Sequence, residues 1–405
     1  MRYVRFVRIG LVFLFILILV PNVQASEKYI FTGQWGTSGP GNGQFNRPEG
    51  VAVDNSGNIL VTETYNARVQ KFDSSGTYLN QWGSQGNNDG QFTNPMGIAV
   101  DKLGNIYVTD AGNNRVQKFD SSTTYLTQWG SSGSGDGQFN LPVGITVDLS
   151  DNIYVADVLN NRIQKFNSYG IFLAKYSGGF RAPTGVAVDD SGNMYVSDTN
   201  NDKIKKFDSA GTYVTQWDST GGPWGIALDG SDNVFVTDAN SMHIQKFDPN
   251  GNFLTQWGDH DWGTKAPGLF NSPVGIAIDS SGFVYVSDYG NNRIQKFSKF
   301  FIPQSLVVTS YPPGAEIWID SKNTGQKTPF TFRSFELGTH EVVVKLKCYI
   351  TPDPTIVNVL PKLEATTNFI LTSDGTCIPE FPSTGFPVIM VFGVLGAVLF
   401  MRRRI

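Results

Sequence analysis

Six copies of one pattern decide most of what this chain can fold into. Pro-x-Gly-[Val/Ile]-[Ala/Thr]-[Val/Leu/Ile]-Asp recurs with its Gly at 50, 97, 144, 185, 225 and 275 and its closing Asp at 54, 101, 148, 189, 229 and 279. Nine residues beyond each closing Asp stands an acid: Glu63, Asp110, Asp157, Asp198, Asp238 and Asp288. Fourteen beyond stands Arg68, Arg115, Arg162, Lys203, His243 or Arg293, and eighteen beyond stands Phe72, Phe119, Phe166, Phe207, Phe247 or Phe297. Twenty-eight beyond comes Trp82, Trp129, Tyr176, Trp217 or Trp257, and only the sixth copy lacks this aromatic. A constant internal spacing with no helix-length gap excludes TPR, ankyrin and other helical solenoids.

Each copy reads as four short strands. In the first they fall near Gly50–Asp54, Ile59–Glu63, Arg68–Asp73 and Tyr78–Trp82, separated by turn residues such as Asp54-Asn55-Ser56-Gly57-Asn58. Composition agrees: Gly and Pro supply 44 and 20 residues, and 16% of the chain is charged, against about 25% in an average globular protein. The strands carry Val, Ile, Tyr and Phe on both faces, so each small sheet must be covered twice. Radially stacked blades meet that need and leave only short edges. The expectation is an all-β, six-bladed propeller over residues 27–299. The missing sixth aromatic is supplied from the N-terminus, where Tyr29-Ile30-Phe31-Thr32-Gly33-Gln34-Trp35-Gly36 parallels Tyr78-Leu79-Asn80-Gln81-Trp82-Gly83. The first strand should therefore complete the last blade and close the ring.

Asn113-Asn114-Arg115-Val116-Gln117-Lys118-Phe119, repeated as Asn291-Asn292-Arg293-Ile294-Gln295-Lys296-Phe297, resembles the NHL repeat. That resemblance covers residues 28–299 and implies the propeller fold. It leaves function open, because NHL propellers include RNA-binding modules, kinase sensor domains, an amidating lyase and unassigned surface proteins. Beyond the repeats, Tyr311-Pro312-Pro313-Gly314-Ala315-Glu316 within alternating strands resembles a PEGA domain over 304–373, which implies a small β-sandwich serving as a surface or spacer module. The two cysteines, Cys348 and Cys377, are expected to form a disulfide in an exported protein, with two free thiols as the alternative.

Both chain ends read as targeting segments. Arg2, Arg5 and Arg8 precede an apolar run and Val23-Gln24-Ala25, so residues 1–26 read as a secretory signal. After a linker over 374–385, residues 386–405 form a hydrophobic segment ending in Arg402, Arg403 and Arg404. Pro379-Glu380-Phe381 before that segment resembles the PEF-CTERM sorting signal of archaeal surface proteins, which implies an archaeosortase-like partner and envelope attachment; a retained membrane helix is the alternative. Without the two ends the chain keeps 25 basic and 35 acidic side chains, net −10. An acidic, exported body disfavours nucleic acid as a partner.

Little in the sequence points to catalysis. The acid and base of each repeat occur six times, where one active site needs them once, so they read as turn-organising pairs. The Asp-led turns lack the ligand spacing of an EF-hand, and there is no Gly-x-Ser-x-Gly elbow. His243, and His260 with Asp259 and Asp261, are the residues that could meet on one face around a metal, although no ligand spacing is enforced. No catalytic residue and no cofactor is expected.

Length variation between repeats is confined to one place. The connection from the closing aromatic to the next Pro is 13 residues three times, then 7, 6 and 16. Variation concentrated on one face reads as a binding face, with purposeless drift in loop length as the alternative. The residue between Pro and Gly should rim the central channel there: Glu49, Met96, Val143, Thr184, Trp224 and Val274. Tyr65, Leu159 and Tyr289 stand in the adjoining loops, and Trp224 lies on the side of the ring with the shortest connections. It is expected either to be exposed as an anchor for a sugar ring or apolar side chain, or to plug the channel. Binding of a protein, glycan or envelope component is the expected role; an extracellular lyase or lactonase and a surface-layer component are the alternatives.

Overall fold

The computed structural model describes residues 27–300, 304–335, 338–347, 349–359 and 364–372. Residues 1–26, both cysteines, the Pro379-Glu380-Phe381 motif and the segment 386–405 lie outside the described residues. Among the described residues no helix is long and apolar enough to cross a membrane. The chain divides into two compact units, up to residue 301 and from 302 onward.

The first unit is a ring of six four-stranded antiparallel sheets. Blade 1 runs Pro48–Val53, Ile59–Glu63, Arg68–Phe72 and Tyr78–Trp82 from the channel outward. Blades 2 to 5 repeat this over residues 95–129, 142–176, 183–218 and 223–257. The second strand of each blade is buried at all five positions, because each of its faces meets a neighbour. One core cluster joins Leu60 and Val69 of blade 1 to Ile98, Ile106, Val108 and Phe119 of blade 2. The apolar core is thus a set of seams between blades.

Blade 6 consists of Pro273–Ile278, Val284–Asp288, Arg293–Phe300 and, outermost, Lys28–Trp35. The N-terminal strand pairs antiparallel with Arg293–Phe300 from Lys28↔Phe300 to Trp35↔Ile294, with a bulge between Phe31 and Gly33. The ring is closed by the two ends of the repeat region. Tyr29 stacks on Trp257 of blade 5 at 4.3 Å between ring centroids. Beneath it, Lys246 is buried with its ammonium 2.5 Å from Glu27 and 3.2 Å from Asp229.

In blades 1, 2, 3 and 6 the acid and base of the repeat form a buried hub that fastens the preceding connection to the blade. Asp110 accepts from the Thr93 backbone N–H and Asn113, both at 2.7 Å, and from Arg115 Nε at 2.9 Å. The Arg115 guanidinium also donates to the carbonyls of Asn87, Asn88 and Gln91. Asn114, in the left-handed region at φ 53°, accepts from the Leu141 N–H at 2.9 Å and so holds the next connection. The Asn-Asn-Arg triplet, present in blades 2, 3 and 6, is structural. Blade 4 departs from the sequence expectation: Asp198 pairs with Lys205 at 2.8 Å, while Lys203 turns to Asp218. The connection before blade 4 is short, and Lys205 occupies the place of Gln117 or Gln164, where its ammonium also meets the carbonyls of Gly178 and Gly179.

The glycine of Pro-x-Gly has a steric reason. A Cβ on Gly50, Gly97, Gly144, Gly185, Gly225 or Gly275 would sit 2.1–2.4 Å from the carbonyl oxygen of the Pro-x-Gly middle residue in the next blade. Backbone meets backbone around the whole channel. Side-chain hydroxyls tie this ring further, as Thr109 donates to Val143 O at 2.7 Å and Ser287 to Glu49 O at 2.6 Å.

The second unit pairs a three-stranded sheet (Phe330–Phe335, Gln304–Tyr311, Glu364–Ile370) with a four-stranded one (Lys322–Lys327, Glu316–Ile319, Gly338–Lys345, Thr355–Val359). Leu306, Val308, Ile317, Val342, Val344 and Phe369 share its core. This is the small β domain expected after the propeller.

Candidate functional site

The six middle residues of Pro-x-Gly line one cavity of about 100 Å³ at the ring centre. Each innermost strand begins at the variable-connection side, so these residues stand at that mouth. Deeper in, the lining becomes aliphatic, with Val51, Ile98 and Ile145 among its residues. The volume suits several water molecules or the end of a slender chain.

Glu49 is the ionisable residue in this lining and is only 5% exposed. Burial pushes its carboxyl up to about 7, against hydrogen bonding from Thr64 and Trp224 and the field of Arg47. The Thr64 hydroxyl stands 3.5 Å from the carboxylate. Met96 is half-buried, while Val143 and Thr184 are buried. Thr184 is already engaged, with the Thr199 hydroxyl at 2.6 Å and Trp224 O at 2.9 Å.

Trp224 is half-buried and lines the channel. The exposed indole on this side is Trp262, 85% exposed on the longest connection, where it stacks on His260 at 4.0 Å. Tyr65 and Leu159 are both 58% exposed, as expected of rim residues. Tyr289 is half-buried because Arg47 occupies it: the guanidinium lies 4.7 Å from its ring and Nη1 donates to its hydroxyl at 2.9 Å. Arg47 also lies 5.3 Å from the Tyr65 ring, giving a Tyr-Arg-Tyr cluster beside the mouth. No motif in the sequence marks Arg47. Its signal is positional, since it precedes Pro48 where the other blades have Asn94, Leu141, Ala182, Gly222 and Ser272.

His243, Asp259 and Asp261 are engaged in local hydrogen bonds, while the His260 ring stacks on Trp262 with its buried Nδ1 unpartnered. His243 hydrogen-bonds Thr220 at 2.7 Å and Ser241 O at 3.0 Å within the blade 5 hub. Asp261 caps the backbone of Gly263, Thr264 and Lys265. Asp259 binds the N–H of His260. Among the described residues no group of three His, Cys, Asp or Glu side chains could hold a metal ion.

The opposite face is uniform. Asp54 Oδ1 accepts the N–H groups of Ser56 and Asn58, both at 2.9 Å, and Asp101, Asp148, Asp189, Asp229 and Asp279 do the same in their turns. These are Asx turns, as the sequence indicates.

Residues 45–72, 92–119, 139–166, 180–207, 220–247 and 270–297 match the NHL repeat, and residues 304–367 match the PEGA domain. The chain carries six NHL repeats and a PEGA domain. Among curated proteins, the B-box type zinc finger protein ncl-1 of Caenorhabditis elegans is 42% identical over 52 residues, 13% of this chain and 6% of that protein. The chain thus spans a small fraction of that relative. Among solved structures, the NHL propeller is similar to a Bacteroides thetaiotaomicron protein of unknown function (TM-score 0.54, 18% identity, 68% of this chain and 76% of that one). It is also similar to a streptogramin B lyase (0.51, 16%, 68% and 99%) and a gluconolactonase from Xanthomonas campestris (0.51, 14%, 69% and 99%). At these identities the likeness is one of fold.

Proposed function

We propose that this NHL propeller is an exported binding module that engages a protein, glycan or other envelope component through its variable-connection face. One contrast carries the reading: five of the six turns on the opposite face repeat Asp-x-x-[Gly/Asp]-Asn, while on the mouth face three connections of 13 residues stand beside others of 7, 6 and 16, and the residues at the mouth differ in charge and aromatic content. Exposed Trp262 and Tyr65, with Arg47 between Tyr65 and Tyr289, are rigid amphipathic groups of the kind that anchor interfaces. A ring-shaped ligand would lie across this rim, over the channel mouth.

The test is array binding. Residues 27–378 applied to protein and glycan arrays should yield a ligand, and Trp262→Ala with Tyr65→Ala should weaken it at least about tenfold with an unchanged melting temperature. Undiminished binding by the double variant defeats the assignment of the face. A second reading, an enzyme of lyase or lactonase type, is favoured by one observation, the Glu49 carboxyl held near 7 in a sheltered mouth. Turnover lost in Glu49→Gln with ligand binding retained would favour that reading.

Export and envelope attachment rest on the two chain ends, outside the described residues. Protein purified from the envelope should lack residues 1–26, with the chain either ending near Phe381 or retaining its hydrophobic tail. Intact-mass measurement distinguishes these, and recovery of the full 405-residue chain from the cytoplasm rejects both.

A further inference from the structure

Glu49 lacks what comparably buried carboxylates in this propeller possess. Asp288, fully buried, accepts from the Asn271 N–H at 2.8 Å, from Asn291, from Arg293 Nε at 2.7 Å and from Gln295. Asp101, 3% exposed, is satisfied by two backbone N–H groups, Asn105 and the Tyr107 hydroxyl. Around Glu49 there is only the Thr64 hydroxyl at 3.5 Å and the indole of Trp224. Arg47 acts on it through space, its guanidinium being committed to Tyr289. A buried carboxyl facing an open mouth without a close cation carries an uncompensated charge whenever it ionises.

We infer that the propeller mouth receives a primary alkylammonium group, which pairs with Glu49 while its methylene chain runs against Trp224 and the aliphatic wall. This deepens the proposed binding role and rests on that reading of the mouth. Three observations select the class. Val143, Val274 and Met96 suit methylenes, and an ammonium beside an indole is favoured by the ring's quadrupole. The cavity of about 100 Å³ has room for a chain end. A divalent cation needs several oxygen ligands, yet the ring carbonyls at Met96, Val143, Val274 and Glu49 already accept from Thr62, Thr109, Thr237 and Ser287. An anion would meet Glu49 itself.

Binding should follow the ionisation of Glu49. The charged and titratable groups facing it are Arg47 ahead of the first strand of blade 1, Tyr65 on the following turn and Tyr289 of blade 6; the lining residues of blades 2 to 5 are not ionisable. With the free carboxyl near 7, affinity for an alkylammonium should be nearly full at pH 8 and about 30-fold weaker at pH 5.5. The amine stays protonated throughout.

The experiment titrates the envelope-purified protein with n-butylammonium chloride by calorimetry, with n-butanol and calcium chloride as parallel probes. Saturable butylammonium binding with that pH dependence, absent in Glu49→Gln and not reproduced by butanol, supports the inference. The substitution is isosteric and removes a buried charge, so its melting temperature serves as the folding control. Equal binding by Glu49→Gln, pH-independent binding, or binding of calcium alone overturns it. An Nα-acetyl Gly-Lys-Gly amide then reads the source: binding lost on Nε-acetylation assigns a partner's lysine, whereas butylammonium binding without the peptide assigns a free small amine, both in support. If the amine fails while an array ligand still requires Tyr65 and Trp262, this inference falls and the mouth reading stands.

Discussion

A chain beginning at Thr37 will not form a cooperatively folded propeller, whereas one beginning at Glu27 will. Loss of residues 27–36 removes the outer strand of blade 6 and its pairing with Arg293–Phe300. It also removes Tyr29 from Trp257, Phe31 from Phe297 and Trp35 from Phe72. Burying such a side chain contributes about 1.5–3 kcal/mol, so three of them, even partly buried, approach a domain's whole net stability of about 5–15 kcal/mol. The damage extends further. Lys246, 1% exposed, would keep Asp229 but lose Glu27 and the Tyr29 ring above it. Thermal unfolding followed by near-ultraviolet circular dichroism checks this, and an unchanged transition for the shorter chain would show that the ring does not depend on its closing strand.

Asp110→Ala should destabilise the propeller by about 3–5 kcal/mol, a drop in melting temperature on the order of 10 °C. The reason is the partner left behind. Arg115 is 6% exposed, and without Asp110 its charge is buried and uncompensated. The pair itself is no large asset: burial raises the Asp110 carboxyl even against Asn113, Thr93 and Arg115. With a folded-state pKa above the unfolded one, ionisation of Asp110 works against folding as pH rises through that range. Replacing both members, Asp110→Ala with Arg115→Met, should therefore recover part of the loss. A double variant no more stable than Asp110→Ala would show that the lost hydrogen bonds to the connection, not the stranded charge, dominate.

The fold was legible in the sequence because one residue type performs one task in most of the repeats. Asp110 and Arg115 mark a hub, Gly97 a backbone contact, Trp129 an outer strand, and repetition separates these signals from chance. Where a blade improvises, the reading slips. Blade 4 exchanges the expected Lys203 for Lys205, since side-chain reach is set by the local connection. The site was legible in outline. Position in Pro-x-Gly places Glu49, Met96, Thr184 and Trp224 at the channel, but depth depends on what stands opposite. Trp224 turns inward toward Glu49, and the displayed indole is Trp262 in the irregular connection. Arg47 could not be read as a site residue because its partners, Tyr65 and Tyr289, come from opposite ends of the repeat region and meet only when the ring closes.

The contact of main chain with main chain around the channel has a consequence for how such a protein can change. The bore is gauged by six glycines and six carbonyls, so its width does not depend on the side chains pointing into it. Positions 49, 96, 143, 184, 224 and 274 are fittings in a rigid frame, and they already span an acid, a thioether, a hydroxyl, an indole and two isopropyl groups. A new fitting has to satisfy its neighbours across the opening, as Trp224 does for Glu49, and at position 184 it must also replace the Thr184 hydroxyl bond to Trp224 O of the next blade, but the apolar seams between blades lie beyond its reach. Chemistry at the mouth and architecture of the ring are separately adjustable, which lets one barrel of repeats be re-keyed without being rebuilt.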